Sequence, residues 1–463
     1  MEKCIRFIKK HREILALSGL LIVCYFLYFF SIGNYPLIFP QEESYFSIAR
    51  SMNNLSDYIS LNLNGNYFFE KPPLFFFFES TAFTSFHIIN EITARIPVAL
   101  SATYGVFLTY FLGKRICSKK YGMICALILA TSIEYIFLAS CVVINMLFAI
   151  CIASSIFSGI YTLFCTETYK KYFWWLAYIM AGFSVLANGL SGAVLSALVI
   201  FLAYVTARKW EEVFKPLFIV PGLLFFCFVA LPWHIIMYKL HGTAFVNEYL
   251  MKQFWFVFTD FTSSPNKYPF YYFLPIFLFG LMPWTFSFFA QIIVFVQKSL
   301  KNVVEFFTKF NNLQRLEQFI VLNVIFFVVA FLIFALSGVD VTMHVLILLF
   351  PISMILGKFW LDYICKDENE RVINISTLLL NFLFILMAIG LLLLFVLIDE
   401  TYGSKFIVSQ ILGIILIMFS VIINSFALFK DKKLLHFLSI SGVMILFSMF
   451  FVKFIIPCIL DFM

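Results

Sequence analysis

Long apolar runs, each closed by charged or turn-forming residues, recur along almost the whole chain. A helix that crosses a bilayer needs roughly 20 apolar residues, and about thirteen runs approach that length. They lie near residues 13–32, 94–113, 121–138, 139–164, 172–187, 189–207, 216–238, 270–297, 317–336, 343–358, 372–397, 406–428 and 435–456. The pattern predicts an all-α polytopic membrane protein. Two stretches interrupt it, about 33–93 and 240–269, and loops of that length usually carry function rather than merely connect. Within the first, Tyr45, Ile48, Ala49 and Met52 recur at helical spacing, which predicts short amphipathic helices lying along the outer membrane surface.

Charge orients these runs. With the N-terminus in the cytoplasm, 24 of the 32 lysines and arginines fall in cytoplasmic segments, as the positive-inside rule requires. The loop 33–93 and the C-terminus are then extracytoplasmic. At 63% hydrophobic and 12% charged residues, the composition excludes an ordinary soluble domain. The net charge of +7 is accounted for by anchors facing anionic lipid, so no nucleic-acid partner is implied. The basic start, Met1 to Arg12, precedes an apolar run too long for a cleaved leader and lacking a small-residue cleavage site before Tyr35-Pro36; it reads as a retained signal anchor. Ten scattered cysteines without CxxC spacing read as small buried hydrophobes. The 64 phenylalanines, Phe75 to Phe78 included, read as lipid-facing bulk. No repeat or separate soluble domain is visible, so the expected organisation is a core over 1–360 followed by transmembrane helices over 361–463.

Against this hydrocarbon background one cluster stands out: Gln41-Glu42-Glu43-Ser44-Tyr45-Phe46-Ser47-Ile48-Ala49-Arg50, then Asn64-Gly65-Asn66-Tyr67-Phe68-Phe69-Glu70-Lys71-Pro72-Pro73. Ionisable groups beside a bilayer are costly and mark functional sites by default. The carboxylates Glu42 and Glu43 are candidate proton acceptors. Lys71, held by two prolines of fixed φ, is a candidate phosphate ligand, with Arg50 and Arg95 as further cations expected on the outer face. The plainer readings stay open. Lys71 would then pair with Glu70 or Glu42, Glu42 would be a solvated acid at a helix start, and the arginines would be local structural partners.

The same residues resemble the first extracytoplasmic loop of the aminoarabinose-transferase and protein-mannosyltransferase families, multi-span enzymes that use polyprenyl-phosphate sugars. Further similarity runs through Ala94-Arg95-Ile96-Pro97, Leu231-Pro232-Trp233, Tyr268-Pro269-Phe270-Tyr271-Tyr272, Gly280-Leu281-Met282-Pro283-Trp284 and Leu336-Ser337-Gly338 to Pro351. Six positions depart from the family pattern. Gln41 stands where the catalytic aspartate is expected, and Asn145 replaces a second aspartate. Asn188 replaces the lysine of a Lys-Gly pair, and Asn266 replaces a histidine before Pro-Phe-Tyr-Tyr. Asp340 and His344 occupy a lysine and a tyrosine slot. Tyr45 and Glu70 complete the site-lining positions, Glu70 being the one residue the resemblance offers to a divalent metal.

The resemblance implies a glycosyltransferase of the bacterial inner membrane. It would move a sugar from a polyprenyl-phosphate donor to a lipid, such as lipid A, or to a protein acceptor on the outer face. Gln41 cannot accept a proton at neutral pH, so the acid role either passes to Glu42 or Glu43 or is lost, leaving a degenerate relative that binds lipid-linked sugar or assists a partner enzyme. A transporter is the more distant alternative, because transporters place paired charges at the membrane midplane. Lys71 and Glu42 are expected to share a solvent-accessible cavity.

Overall fold

The computed structural model describes residues 12–251 apart from 31, 34, 38 and 39, then 270–299, 310–337, 341–397 and 404–450. Almost all of these are helical; a two-residue β-ribbon is the one sheet among them. The chain divides into two compact units, Met1–Pro36 with Tyr363–Met463, and Leu37–Asp362. Among the described residues, the helix Arg12–Cys24 thus falls in the same unit as the helices that follow Tyr363.

The smaller unit contains α1 (Arg12–Cys24) and, later in the chain, three long helices described below. The larger unit begins with α2 (Pro40–Leu55), the strands β1 (Asn62–Leu63) and β2 (Asn66–Tyr67), and α3 (Leu74–Phe86). There follow α4 (Glu91–Ile116), α5 (Lys119–Ala130), α6 (Ile133–Ala139), α7 (Asn145–Tyr161), α8 (Glu167–Asn188), α9 (Ser191–Thr206) and α10 (Pro216–Phe245). It closes with α11 (Phe273–Gly280), α12 (Thr285–Ser299), α13 (Arg315–Ser337) and α14 (Val341–Lys366), the last crossing the division. The remaining helices of the smaller unit are α15 (Glu370–Leu397), α16 (Ser404–Phe429) and α17 (Lys433–Phe450), packed in sequence order. There His436 is buried between Tyr363 and Thr377, with ring nitrogens 3.2 and 2.8 Å from the two hydroxyls.

Seven described helices are long and apolar enough to cross a membrane, or nine when α5 with α6, bent by 67°, and α11 with α12, bent by 108°, each count as one span. The chain is therefore an all-α polytopic membrane protein. The expected count of about thirteen is not reached by this measure among the described residues, for a physical reason. Several of the other segments hold helices too short alone to cross roughly 30 Å of hydrocarbon at 1.5 Å per residue; α7 has 17 residues and α9 has 16.

The first long loop is built from its local chemistry. In α2 the positions Tyr45, Ile48, Ala49 and Met52 are all buried, as their spacing predicts. The face packs on protein rather than on the membrane surface: Tyr45 meets Phe75 and Phe76 edge-on, with centroids 6.0 and 5.6 Å away. The four phenylalanines of α3 divide accordingly, Phe75 and Phe76 buried, Phe77 and Phe78 exposed. Only the second pair is left to serve as the expected outward-facing bulk.

Between α2 and α3, Asn64 at φ +53 and Gly65 at φ +88 form the two-residue turn of a hairpin that pairs Asn62 with Tyr67 and Leu63 with Asn66. Asn-Gly is the residue pair that tolerates this backbone best. The hairpin is anchored to α10. The Trp233 indole N–H donates to the Ile59 carbonyl at 2.9 Å, Ser60 Oγ lies 2.9 Å from His241 Nε2, and Phe69 packs with Trp233, Met237, Phe245 and Tyr249.

Candidate functional site

Lys71 follows Phe69 by two residues, so the aromatic cluster on α10 fixes the chain just before it. Pro72 and Pro73, both buried, fix the chain just after it and lead directly into α3. The Lys71 ammonium donates to Asn188 Oδ1 at 2.8 Å. Asn188 is the last residue of α8, where the helix carbonyls present a partial negative charge. A lysine at this position would set two ammonium groups within a few ångströms; the asparagine supplies an acceptor instead. Two of the sequence-predicted site residues, 117 positions apart, are thus brought together.

Glu42 belongs to a different environment. It is wholly buried, and its Oε1 accepts the Val142 N–H at 2.7 Å while lying 3.9 Å from Arg95 Nη2. Arg95 is placed by the start of α4, where Asn90 and Thr93 cap each other reciprocally. Val142 lies in the turn between α6 and α7, three residues before the buried Asn145. One carboxylate therefore ties α2, α4 and the turn that presents Asn145. A charge pair with both members removed from water is strongly disturbed when one partner is lost, so this contact acts as a clamp.

This placement corrects two expectations. Arg95 is not an external cation, because its side chain has no exposed surface. Glu42 does not line a solvent-accessible cavity with Lys71, for the same reason. Gln41, Glu43 and Arg50 on the same helix are exposed, as is Glu70, whereas Tyr45 is buried against α3. His344 is half-buried and stacks on Phe334 with centroids 4.1 Å apart. Asp340 and Asn266 lie outside the described residues. Among the described residues no three His, Cys, Asp or Glu side chains converge as a metal site.

Besides Asp362, which pairs with Lys358 at 2.6 Å, two buried acids escaped the sequence reading. Glu79, on α3, is fully buried, and neither carboxylate oxygen has a hydrogen-bond partner among the described residues. Burial holds its carboxyl well above the usual carboxylate range, and the adjacent Glu42 carboxylate raises it further. Glu134, on α6, is also buried and packs beneath Gly280, where an added Cβ would come within 2.8 Å of the Glu134 Cβ. The signal was present for both: each is an ionisable residue inside an apolar run.

Three residues after Lys71 the chain enters the wall of an apolar groove. A groove of about 620 Å³ is lined by α3, α4, α7 and α8, beginning at Leu74 and including Phe78, Phe86, Leu100, Tyr104 and Phe183. Lys71 precedes the groove-lining Leu74 by three residues, and its partner Asn188 follows the groove-lining Phe183 by five.

Residues 70–236 match the family model for dolichyl-phosphate-mannose-protein mannosyltransferase. An uncharacterized protein of Aquifex aeolicus is 25% identical over 81% of this chain and 69% of its own length. The undecaprenyl phosphate-alpha-4-amino-4-deoxy-L-arabinose arabinosyl transferase of Wigglesworthia glossinidia brevipalpis is 23% identical over 89% of this chain and 71% of its own length. The crystal structure of ArnT from Cupriavidus metallidurans bound to undecaprenyl phosphate superposes with a TM-score of 0.75 at 16% identity, covering 95% of this chain and 77% of that one. The chain is thus similar in sequence to the aminoarabinose transferases and to the protein-mannosyltransferase family model, and it shares the fold of ArnT.

Proposed function

We propose that the protein transfers a sugar from a polyprenyl-phosphate donor to a lipid or protein acceptor on the outer face of the bacterial inner membrane. The proposed topology has the N-terminus in the cytoplasm and about thirteen membrane-embedded segments, following the distribution of basic residues. The observation that carries the reading is the Lys71–Asn188 contact, whose two residues lie three and five positions along the chain from the groove-lining Leu74 and Phe183. The groove takes the tail, and the ammonium meets the phosphate.

In the proposed reaction an acceptor hydroxyl or amine attacks the anomeric carbon, the bond from that carbon to the phosphate oxygen breaks, and polyprenyl phosphate leaves with the electron pair. Lys71 stabilises the charge developing on the leaving phosphate, worth most where water is excluded. The acceptor proton passes to water or to the exposed Glu43, since Gln41 accepts none at neutral pH and Glu42 is enclosed. Glu42 and Arg95 act as positioning residues, fixing α2 against the turn that carries Asn145.

The test is release of undecaprenyl phosphate from an undecaprenyl-phosphate-linked aminosugar by purified protein in liposomes, with wild type compared to Lys71→Ala. Wild-type turnover that falls about 10²-fold or more in Lys71→Ala supports the reading. Donor binding without turnover in both would reduce the protein to a lipid-sugar binder. Equal turnover in both would remove Lys71 from the site.

A further inference from the structure

At the end of the bundle remote from Lys71 there is a second cavity, of about 760 Å³, walled by Arg115 and Arg315. The distance is set by α8: Tyr169 on the cavity wall lies near its start and Asn188, which holds Lys71, at its end, and 19 residues of helix at 1.5 Å each separate them by about 28 Å, close to the thickness of a bilayer core. We propose that this cavity binds the phosphate headgroup of an anionic membrane phospholipid.

The two guanidinium groups are held in place by aromatic faces. Arg115 lies over Tyr161 and Phe173, 5.7 and 5.6 Å from the ring centroids, and Arg315 lies over Phe164 at 5.8 Å. Arg315 also donates to the Arg115 backbone carbonyl at 3.2 Å. Stacking uses the flat face of a guanidinium and leaves its in-plane N–H donors available, the geometry that suits a phosphate. Among the described residues neither arginine forms an ion pair. The neighbouring acid Glu167 is engaged by Lys170 at 3.1 Å, and the same ammonium reaches Glu212. Two positive charges therefore converge on one cavity without a counter-ion from these side chains.

The walls favour a lipid over a soluble anion. Tyr169 and Tyr172 at the rim are exposed, and Lys171 lies over Tyr172 and Trp175 at 5.1 and 5.9 Å. Tyrosine and tryptophan in this setting form the belt at which headgroups sit. A residue that only anchors topology needs no cavity; Lys119 and Lys120, exposed at the start of α5, serve as the comparison.

The experiment is native mass spectrometry of the full-length protein released from nanodiscs of mixed phosphatidylglycerol and phosphatidylcholine. Wild type is expected to retain one phosphatidylglycerol in preference to phosphatidylcholine. Arg115→Gln with Arg315→Gln should weaken that retention about tenfold or more, at roughly 1 kcal/mol per basic residue, while Lys119→Gln with Lys120→Gln leaves it unchanged. Wild type without lipid preference overturns the proposal, whatever the variants do. Equal loss in the lysine variant would show diffuse surface charge. Displacement of the lipid by millimolar inorganic phosphate would make the cavity a soluble-anion site and overturn the lipid assignment.

Discussion

The Lys71 ammonium and the Asn188 side-chain carbonyl meet at 2.8 Å, joining the residue that follows the β-hairpin to the last residue of α8. A neutral acceptor orients the cation in this contact without cancelling its charge. Asn188→Asp would convert the contact into an ion pair that competes with phosphate. Affinity for undecaprenyl phosphate, measured by scintillation proximity, is expected to fall about tenfold, in line with a charge-assisted contact worth 1–2 kcal/mol.

The Glu42–Arg95 pair predicts a double-mutant signature. Arg95→Leu leaves the Glu42 carboxylate buried with the Val142 N–H and no adjacent guanidinium, a loss of about 3–5 kcal/mol. Adding Glu42→Gln keeps an acceptor for that N–H and removes the stranded charge. The double variant should recover more than half of the lost stability in thermal unfolding in detergent. Additive losses would show that the two residues do not act together.

Glu79 predicts a pH dependence of the opposite sense to that of a paired carboxylate. Its folded-state value is raised from the ordinary 4.5, so the proton is bound more tightly in the folded protein. The stability it contributes is fully present below that ordinary value and is lost as pH rises through the folded one. Glu79→Gln removes the titration and keeps the shape. Its melting temperature should exceed wild type by a few degrees at pH 8, and the gap should close toward pH 5; a gap that widens at low pH would contradict the assignment.

Gln41 and Glu42 make opposite demands. Gln41 is exposed on the first turn of α2 and Glu42 is enclosed. Restoring an ionisable group with Gln41→Asp should raise sugar transfer by about 10²–10⁴, the usual contribution of a positioned base. Glu42→Gln should act through stability, lowering the melting temperature before it lowers the rate per folded molecule. A rate that collapses in fully folded Glu42→Gln, with Gln41→Asp inert, would make Glu42 the base.

Gly65 tests whether the hairpin matters to Lys71. Its φ of +88 suits glycine, and nothing lies within 4 Å of an added Cβ, so substitution acts through the backbone alone. Gly65→Val should cost about 1–3 kcal/mol locally and weaken donor binding, whereas Gly65→Asn, which tolerates a left-handed conformation, should largely retain it.

Periodicity made the class and several elements readable in the sequence. The buried face of α2 follows from the spacing of Tyr45, Ile48, Ala49 and Met52, because a helix repeats every 3.6 residues whatever it packs against. What covers that face did not follow: a lipid surface and the rings of Phe75 and Phe76 demand the same apolar pattern. The Asn64-Gly65 turn carried a readable hairpin signal. The Lys71–Asn188 contact did not, since a hydrogen bond across 117 positions leaves no trace in local pattern. Glu42 was misplaced because charge marks a site without telling whether its partner will be an acceptor molecule or a buried arginine.

The clamp at Glu42 separates durability from chemistry. Neighbouring residues of a helix point about 100° apart, so the position that locks α2 into the bundle and the position beside it that faces outward answer to different selective pressures. The outward position can drift from acid to amide while the architecture persists unchanged. A lineage could in this way abandon turnover, or regain it by a single substitution, without ever passing through an unfolded ancestor.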